Sequence, residues 1–458
     1  MSLKLALPKG HLRRSTEFLL QKAGLELNDY DERSRSYRPK CIELPNLLIK
    51  VIHEKDIPIQ VAVGNYDLGI CGLDWIEELL VKYPRSALVK VQNLGYGHKN
   101  LAVASSKLGG FSSLEELESS HKTIRIASEY PNQAESFALK CRLKRFHIFP
   151  LWGAAEIYPP ESAELALIPQ PSPSLVRLVP ILESTAYLVA NRDSWESKDL
   201  TPLLTPLYAV ADSELDEDAP VVGAPDNSSA LGLQYLEDTS VRLALPDGHQ
   251  QQPTLEFLSK AGFKLGDYSS GCRRPAIGVD GVIAKVIRPQ DMPLQVANGN
   301  FDLAITGQDW LYDHLHHFPT SPVREILELG FGKVRVVAVV SQAWGVDNPR
   351  DLRERFAGEV IRVVSEYINI ADKYARDNHL SPYRLIPSWG ASEAFLPEDA
   401  DVLIENTETG QTLAQHNLKI IDTIFESSAS LIGRANSCPQ KERRIASMVE
   451  ALHQVKKC

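Results

Sequence analysis

The sequence predicts an α/β protein built as two tandem, two-lobed units, and three observations carry that prediction. Motifs from the first half return in order in the second half. Short apolar runs alternate with helix-period segments, as in sheets whose strands run mostly parallel. Each half also carries further apolar runs beyond those one sheet needs, which gives two lobes, two crossings and a ligand cleft between them.

The repeat is extensive. Leu5-Ala-Leu-Pro-Lys-Gly-His11 returns as Leu243-Ala-Leu-Pro-Asp-Gly-His249, and Asp56-Ile-Pro58 as Asp291-Met-Pro293. Gly64 to Trp75 matches Gly299 to Trp310, Leu94 to Gly97 matches Leu329 to Gly332, and Trp152-Gly-Ala154 matches Trp389-Gly-Ala391. The expected layout is a first unit over 1–210, an acidic linker over 211–239 and a second unit over 240–458. Between Tyr208 and Val241 there is no Lys or Arg, while Asp212, Glu214, Asp216, Glu217, Asp218, Asp226, Glu237 and Asp238 stand there. That composition is read as a solvated linker.

In the first half, Lys4 to Leu7 reads as a strand and Leu12 to Ala23 as a helix ended by Gly24. A strand at Leu47 to Ile52, a short helix at Ile57 to Val63 and a strand at Asp67 to Ile70 complete the first lobe. Leu101 to Ala104, Ile124 to Ala127 and Ala163 to Ile168 belong to the second lobe, and Glu183 to Ala190 returns toward the first. The second half repeats the plan and ends in a helix over Lys441 to Val455, with Ile445, Met448, Val449, Leu452 and Val455 on one face.

Composition narrows the function. A net charge of −10 leaves no basic excess for nucleic acid or an anionic membrane surface. No apolar run approaches membrane-spanning length, and Pro8 comes too early for a signal-peptide core. Cys41, Cys71, Cys141, Cys272, Cys438 and Cys458 show no CxxC spacing, which points to a reduced, cytoplasmic protein. The histidines, His314, His316 and His317 among them, form no metal-site spacing.

The most informative stretch is Asp401 to Leu413. An apolar run ends in Glu405 and Asn406, then passes through Thr407, Glu408, Thr409, Gly410, Gln411 and Thr412 into a helix. Unpaired N–H groups at a helix start, with threonine hydroxyls around them, suit a phosphate. Glu405 would accept from ribose hydroxyls or hold a magnesium ion beside the phosphate. The other reading of the same residues is a Thr/Gly turn that caps a helix.

Together these motifs resemble the ATP phosphoribosyltransferases that open histidine biosynthesis. The resemblance rests on Leu-Pro-Lys-Gly, on Asp-Ile-Pro with Gly-x-x-Asp-Leu-Gly-Ile-x-Gly-x-Asp, on Leu-Gly-Tyr/Phe-Gly and on Glu-Thr-Gly-Gln-Thr-Leu. It covers each half almost completely and leaves no third segment for the regulatory domain of the family's long form. It implies units resembling type II periplasmic binding proteins, in which N1 of ATP attacks C1 of phosphoribosyl pyrophosphate (PRPP) with Mg2+ assisting. It also implies that Glu405 to Thr412 is the PRPP loop, with Glu405 as metal ligand, that Arg288 and Lys9 are catalytic, and that Arg335, Glu393 and Asp309 lie on the nucleotide side.

The halves differ where it matters. From the Trp-Gly-Ala motif to the following Glu-Ser, the first half is six residues shorter, and Ile168-Pro-Gln-Pro-Ser-Pro-Ser174 replaces the loop. Pro169, Pro171 and Pro173 lack the N–H that a phosphate cradle uses, so this half is expected not to bind PRPP. The second half carries Asp247 where the first keeps Lys9, and Arg288 and Arg335 where the first has His53 and Asn100. Two explanations stand: an internal pseudo-dimer whose second-half site is completed by first-half residues such as Lys9, or a drifted, non-catalytic nucleotide- or PRPP-binding regulator. A phosphoribosyltransferase with another acceptor is a third reading. Homo-oligomers and a separate regulatory subunit are left open.

Overall fold

In the computed structural model, residues 3–170, 172–211, 240–269, 271–434 and 439–457 are described. The acidic linker lies outside them from Asp212 onward, as does Pro171. The described residues fall into two compact units. The first is drawn from Met1–Pro150, Ala163–Val221 and Ser388–Phe395, the second from Leu151–Ser162, Val222–Pro387 and Leu396–Cys458.

Unit 1 contains two five-stranded sheets. Its first-lobe strands are β1 (Lys4–Lys9), β2 (Leu48–His53), β3 (Leu68–Gly72), β4 (Leu88–Asn93) and β10 (Ala186–Asn191), in the order β2-β1-β3-β10-β4. β1 lies parallel to β2 and β3, and β10 runs against β3 and β4. The second lobe holds β5 (Lys99–Ser106), β6 (Ile124–Ser128), β7 (Phe146–Pro150), β8 (Leu165–Ile168) and β9 (Leu175–Ser184), in the order β9-β5-β8-β6-β7. Here β5 is the reversed strand. Leu5, Ala6 and Leu7, like Leu165 to Leu167, are almost wholly buried. Strands covered on both faces need such continuous apolar runs. The chain crosses between lobes after Asn93 and again after Ser184, so the return strand is Ala186–Asn191.

Unit 2 repeats this plan strand for strand. β11 (Val241–Pro246), β12 (Val282–Ile287), β13 (Leu303–Gly307), β14 (Val323–Glu328) and β20 (Ala429–Arg434) form the sheet β12-β11-β13-β20-β14. β15 (Val334–Ser341), β16 (Ile361–Ser365), β17 (Tyr383–Pro387), β18 (Val402–Thr407) and β19 (Leu418–Ser427) form β17-β16-β18-β15-β19. The expected architecture, two tandem two-lobed α/β units, is the one present. The helix Pro439–Lys457 covers the first sheet of unit 2, burying Met448 and Leu452 and half-burying Ile445 and Val449. Each fully buried side chain of that size contributes about 2 kcal/mol. No helix among the described residues is long and apolar enough to cross a membrane. Cys41, Cys71, Cys141 and Cys272 carry free thiols.

The compact units do not coincide with the halves read from the sequence, because each takes a segment from the other half. In unit 2, Trp152 N–H donates to both carboxylate oxygens of Asp291 at 3.1 Å. Arg274 donates to the carbonyls of Ile157 and Pro159 at 3.2 Å. Glu161 is gripped by Arg274 at 2.8 Å and Lys285 at 2.9 Å. Burial opposes the Glu161 charge, yet the hydrogen bond from Arg274 and the Lys285 charge bring its pKa down to about 2. Burial, then the Arg274 charge, lowers Lys285 to about 8. In unit 1 the counterpart segment is joined in the same way: Trp389 N–H reaches Asp56, Tyr37 OH reaches Glu393 and Arg38 reaches the Ala394 carbonyl, each at 3.5 Å.

Candidate functional site

The centre of unit 2's second sheet is β18, whose Val402, Leu403 and Ile404 are fully buried. Their burial fixes the point at which the polar run emerges. Glu405 is half-buried and its Oε1 accepts the Asn406 N–H at 3.2 Å. The Asn406 amide donates to Tyr367 OH at 2.6 Å, and Tyr367 OH donates to Asp309 Oδ2 at 2.7 Å. Asp309 N–H in turn donates to Ser427 Oγ at 3.1 Å. Burial pushes the Asp309 carboxyl up, against the hydrogen bonds from Tyr367 and Trp310 N–H. Burial, then the Asp309 charge, pushes the Tyr367 phenol far up, so it stays protonated and keeps both bonds. This relay ties the head of the loop to the start of the helix Gln308–His317 in the other lobe.

Beyond Asn406 the loop turns through Gly410, whose φ of 78° suits glycine, into the five-residue helix Gln411–Gln415. Thr407 Oγ1 accepts the Gly410 N–H at 2.9 Å and Thr409 Oγ1 accepts the Gln411 N–H at 3.4 Å. The capping reading of the threonines is therefore physically present. It does not exhaust them, since an accepting hydroxyl still has its own proton to donate. Glu408, Thr409, Gln411 and Thr412 are exposed along the rim, and buried Leu413 anchors the far end. Arg335 sits on β15 directly opposite Thr407, with no ion-pair partner among the described residues.

At the end of β12, Arg288 lies 3.2 Å from Asp247, which also holds Arg273 at 3.0 Å; Glu156 approaches Arg273 at 3.6 Å. Asp247 is thus embedded between two guanidiniums. The equivalent positions in unit 1 are Lys9, Tyr37 and His53. The Val286 N–H bond to Arg273 O repeats that of Val51 N–H to Tyr37 O. There Lys9 Nζ stands over the Tyr37 ring at 5.3 Å, and burial with the Lys55 and Lys9 charges lowers His53 to about 3, leaving it neutral. An acid in place of a lysine is matched by two arginines in place of uncharged groups. Local charge is conserved across the exchange.

The predicted site residues divide accordingly. Arg288, Arg335, Asp309 and Glu405 to Thr412 lie in unit 2, whereas Lys9 and Glu393 lie in unit 1. The first-half contribution to unit 2 is the segment Leu151–Ser162, with Glu156 as the counterpart of Glu393. Asp309 is inside the fold with its carboxylate engaged, so it supports the loop from behind. Sequence reasoning missed Trp152, Glu161, Arg273, Arg274 and Lys285. The Arg273-Arg274 pair, opposite Tyr37-Arg38, was the available signal.

Unit 1 has a different interior at the same place. Ile168 and Pro169 stand where Glu405 and Asn406 stand, by the matching registers of β8 with β5 and β18 with β15. Asp74 accepts from Tyr130 OH at 2.7 Å and Ser184 Oγ at 3.0 Å, and Lys99 Nζ lies 3.3 Å from Asp74 and 3.5 Å from Glu54. Lys55 pairs with Glu129 at 2.9 Å and stands over Trp75 at 4.6 Å. Protein cations here meet protein anions.

Comparison with known proteins agrees with the repeat. A family model described as ATP phosphoribosyltransferase matches residues 53–167 and 288–454, one segment in each half. The ATP phosphoribosyltransferase of Prosthecochloris aestuarii is 33% identical over 219 residues, covering 46% of this chain and 70% of the relative. That of Metallosphaera sedula is 34% identical over 205 residues, covering 44% and 68%. Among solved structures, the ATP phosphoribosyl transferase (HisG:HisZ) complex from Thermotoga maritima aligns at 22% identity and a TM-score of 0.40, over 47% of this chain and 98% of that one.

Proposed function

The chain belongs to the ATP phosphoribosyltransferase family, and on that premise we propose that unit 2 transfers phosphoribosyl from PRPP to N1 of ATP, releasing pyrophosphate. This is the first step of histidine biosynthesis, and we place it in the cytoplasm. The observation that carries the reading is the Glu405–Thr412 loop, held at its head by the Asp309–Tyr367–Asn406 relay and faced by Arg335. The N1 lone pair forms a bond to C1 as the C1–O bond to pyrophosphate breaks, and that electron pair leaves with the diphosphate. The transition state gains negative charge on the leaving group and positive charge on the ribose. Fixed cations and donors therefore supply the stabilisation, and no nucleophilic side chain is required.

In this reading the Thr407, Thr409 and Thr412 hydroxyls donate to the ribose phosphate, beside those loop N–H groups that Glu405, Thr407 and Thr409 do not already engage, and Glu405 accepts from the ribose hydroxyls. Arg288 faces the leaving diphosphate and Arg335 the nucleotide phosphates. Magnesium usually takes one or two protein carboxylates and fills its shell from substrate phosphates and water. Glu405, half-buried at the head of the loop, supplies one such carboxylate, which fits an ion brought with PRPP. Such an ion would neutralise charge on the departing diphosphate.

The test is to mix the protein with ATP, PRPP and magnesium, with pyrophosphatase present, and to follow phosphoribosyl-ATP. Product formation is expected. One feature favours the regulatory reading, namely that Arg288 is already paired with Asp247. PRPP binding without product would select it, and product from a different acceptor would select the third reading.

A further inference from the structure

We propose that Trp152, a first-half residue, is a positioning residue for the phosphoribosyl site of unit 2, acting on Asn406 through Trp310 and Tyr367. The proposal rests on the function proposed above, since it says what holds that loop in register.

The geometry is a continuous stack ending at the loop. The Trp152 indole meets Trp310 edge-on, with centroids 5.8 Å apart and planes at 61°. Trp310 lies against Tyr367 at 4.2 Å and 32°. The Tyr367 hydroxyl is the shared atom between Asp309 and the Asn406 amide. The lateral position of that phenol decides whether Asn406 keeps its bond, and Trp310 sets it from one side. Edge-on and offset ring contacts are directional, so the indole orients Trp310 as well as filling space beside it.

Trp152 is itself firmly placed. Its backbone N–H is held by Asp291, and the next residue, Gly153, lies so near Arg288 that a Cβ there would stand 2.9 Å from Nε. Further along, Tyr158 is fully buried and Glu161 is clamped between Arg274 and Lys285. A segment pinned at both ends can transmit position. Unit 1 shows what is specific. Trp75 stacks on Tyr130 at 4.3 Å and Tyr130 OH reaches Asp74, but Pro169 replaces Asn406, so the mirrored stack ends at the buried Lys99 pair.

The test uses full-length protein with magnesium and reads PRPP affinity by calorimetry beside steady-state kinetics. Trp152→Ala is expected to weaken PRPP binding and raise the PRPP KM about tenfold, with the ATP KM changed less than twofold. Trp152→Phe, which keeps an aromatic edge, is expected to restore most of the loss. Trp389→Ala, the equivalent change in unit 1, is expected to leave PRPP affinity unchanged. Should Trp152→Ala not fold, Trp152→Leu decides, with weakened PRPP binding expected. Wild-type PRPP affinity in a folded Trp152→Ala or Trp152→Leu protein overturns the proposal, as does an equal loss in Trp389→Ala. If the wild type makes no product yet binds PRPP in a Trp152-dependent way, the catalytic reading falls and the positioning role stands. If the wild type binds no PRPP, both fall.

Discussion

Glu405→Gln is expected to lower kcat/KM for phosphoribosyl transfer about 100- to 1,000-fold, the cost of removing one preorganised electrostatic group from a transition state, ~3 to 4 kcal/mol. The change keeps side-chain shape and the acceptor for Asn406 N–H, and removes only the charge. Glu405 is half-buried at the mouth of a buried strand, so the fold should tolerate it, and the melting temperature should move by no more than about 2 °C. Ser174→Ala provides the matched control. Ser174 sits exposed in the first half's proline-bearing turn, bonded to Ser172 at 3.0 Å, and its removal should leave kcat/KM unchanged. Initial rates at varied PRPP for both variants make the comparison. Equal activity of Glu405→Gln and wild type would remove the loop from the mechanism.

Lys99→Met is expected to destabilise the protein by about 3 kcal/mol, at the low end for breaking a buried ion pair, because Asp74 keeps Tyr130 and Ser184. That corresponds to a fall in melting temperature of about 6–12 °C for a unit of this size. The pH dependence gives the cause. Burial opposes the Asp74 charge, but Lys99, Tyr130 and Ser184 hold its folded pKa below the ordinary value of 3.8. Its stabilising contribution is therefore complete above pH 3.8 and is lost as pH falls through the lower folded value. Without Lys99, burial raises the Asp74 pKa in the folded state. The deficit of the variant should then grow as pH rises above about 4. Calorimetric melts between pH 4 and pH 8 would show the two curves diverging upward in pH, and parallel curves would mean that Lys99 contributes packing alone.

What could be read from the sequence was what is local. The strand expected over Lys4 to Leu7 forms over Lys4–Lys9, and the helix expected over Leu12 to Ala23 forms over Arg13–Lys22, because apolar period and a following glycine are short-range signals. The acid, amide and threonines of the loop appear where strand β18 leaves the core, for the same reason. The helix after the loop is five residues long, and two threonine hydroxyls accept from N–H groups at its start. The exchanged segments were not legible, since Trp152 with Asp291 and Glu161 with Lys285 join residues more than a hundred positions apart. Asp247 shows the same limit. Alone in a motif it reads as repulsive to a polyphosphate, and only the neighbouring Arg273 and Arg288 show why the acid is tolerated.

Phosphoribosyl chemistry is expected to have one seat per chain, at Glu405–Thr412. Calorimetric titration of the full-length protein with PRPP and magnesium measures this directly. One PRPP per chain is expected, with binding lost or severely weakened in Glu405→Gln and retained in Ser174→Ala. Two sites per chain, or one site of unchanged affinity in Glu405→Gln, would contradict it.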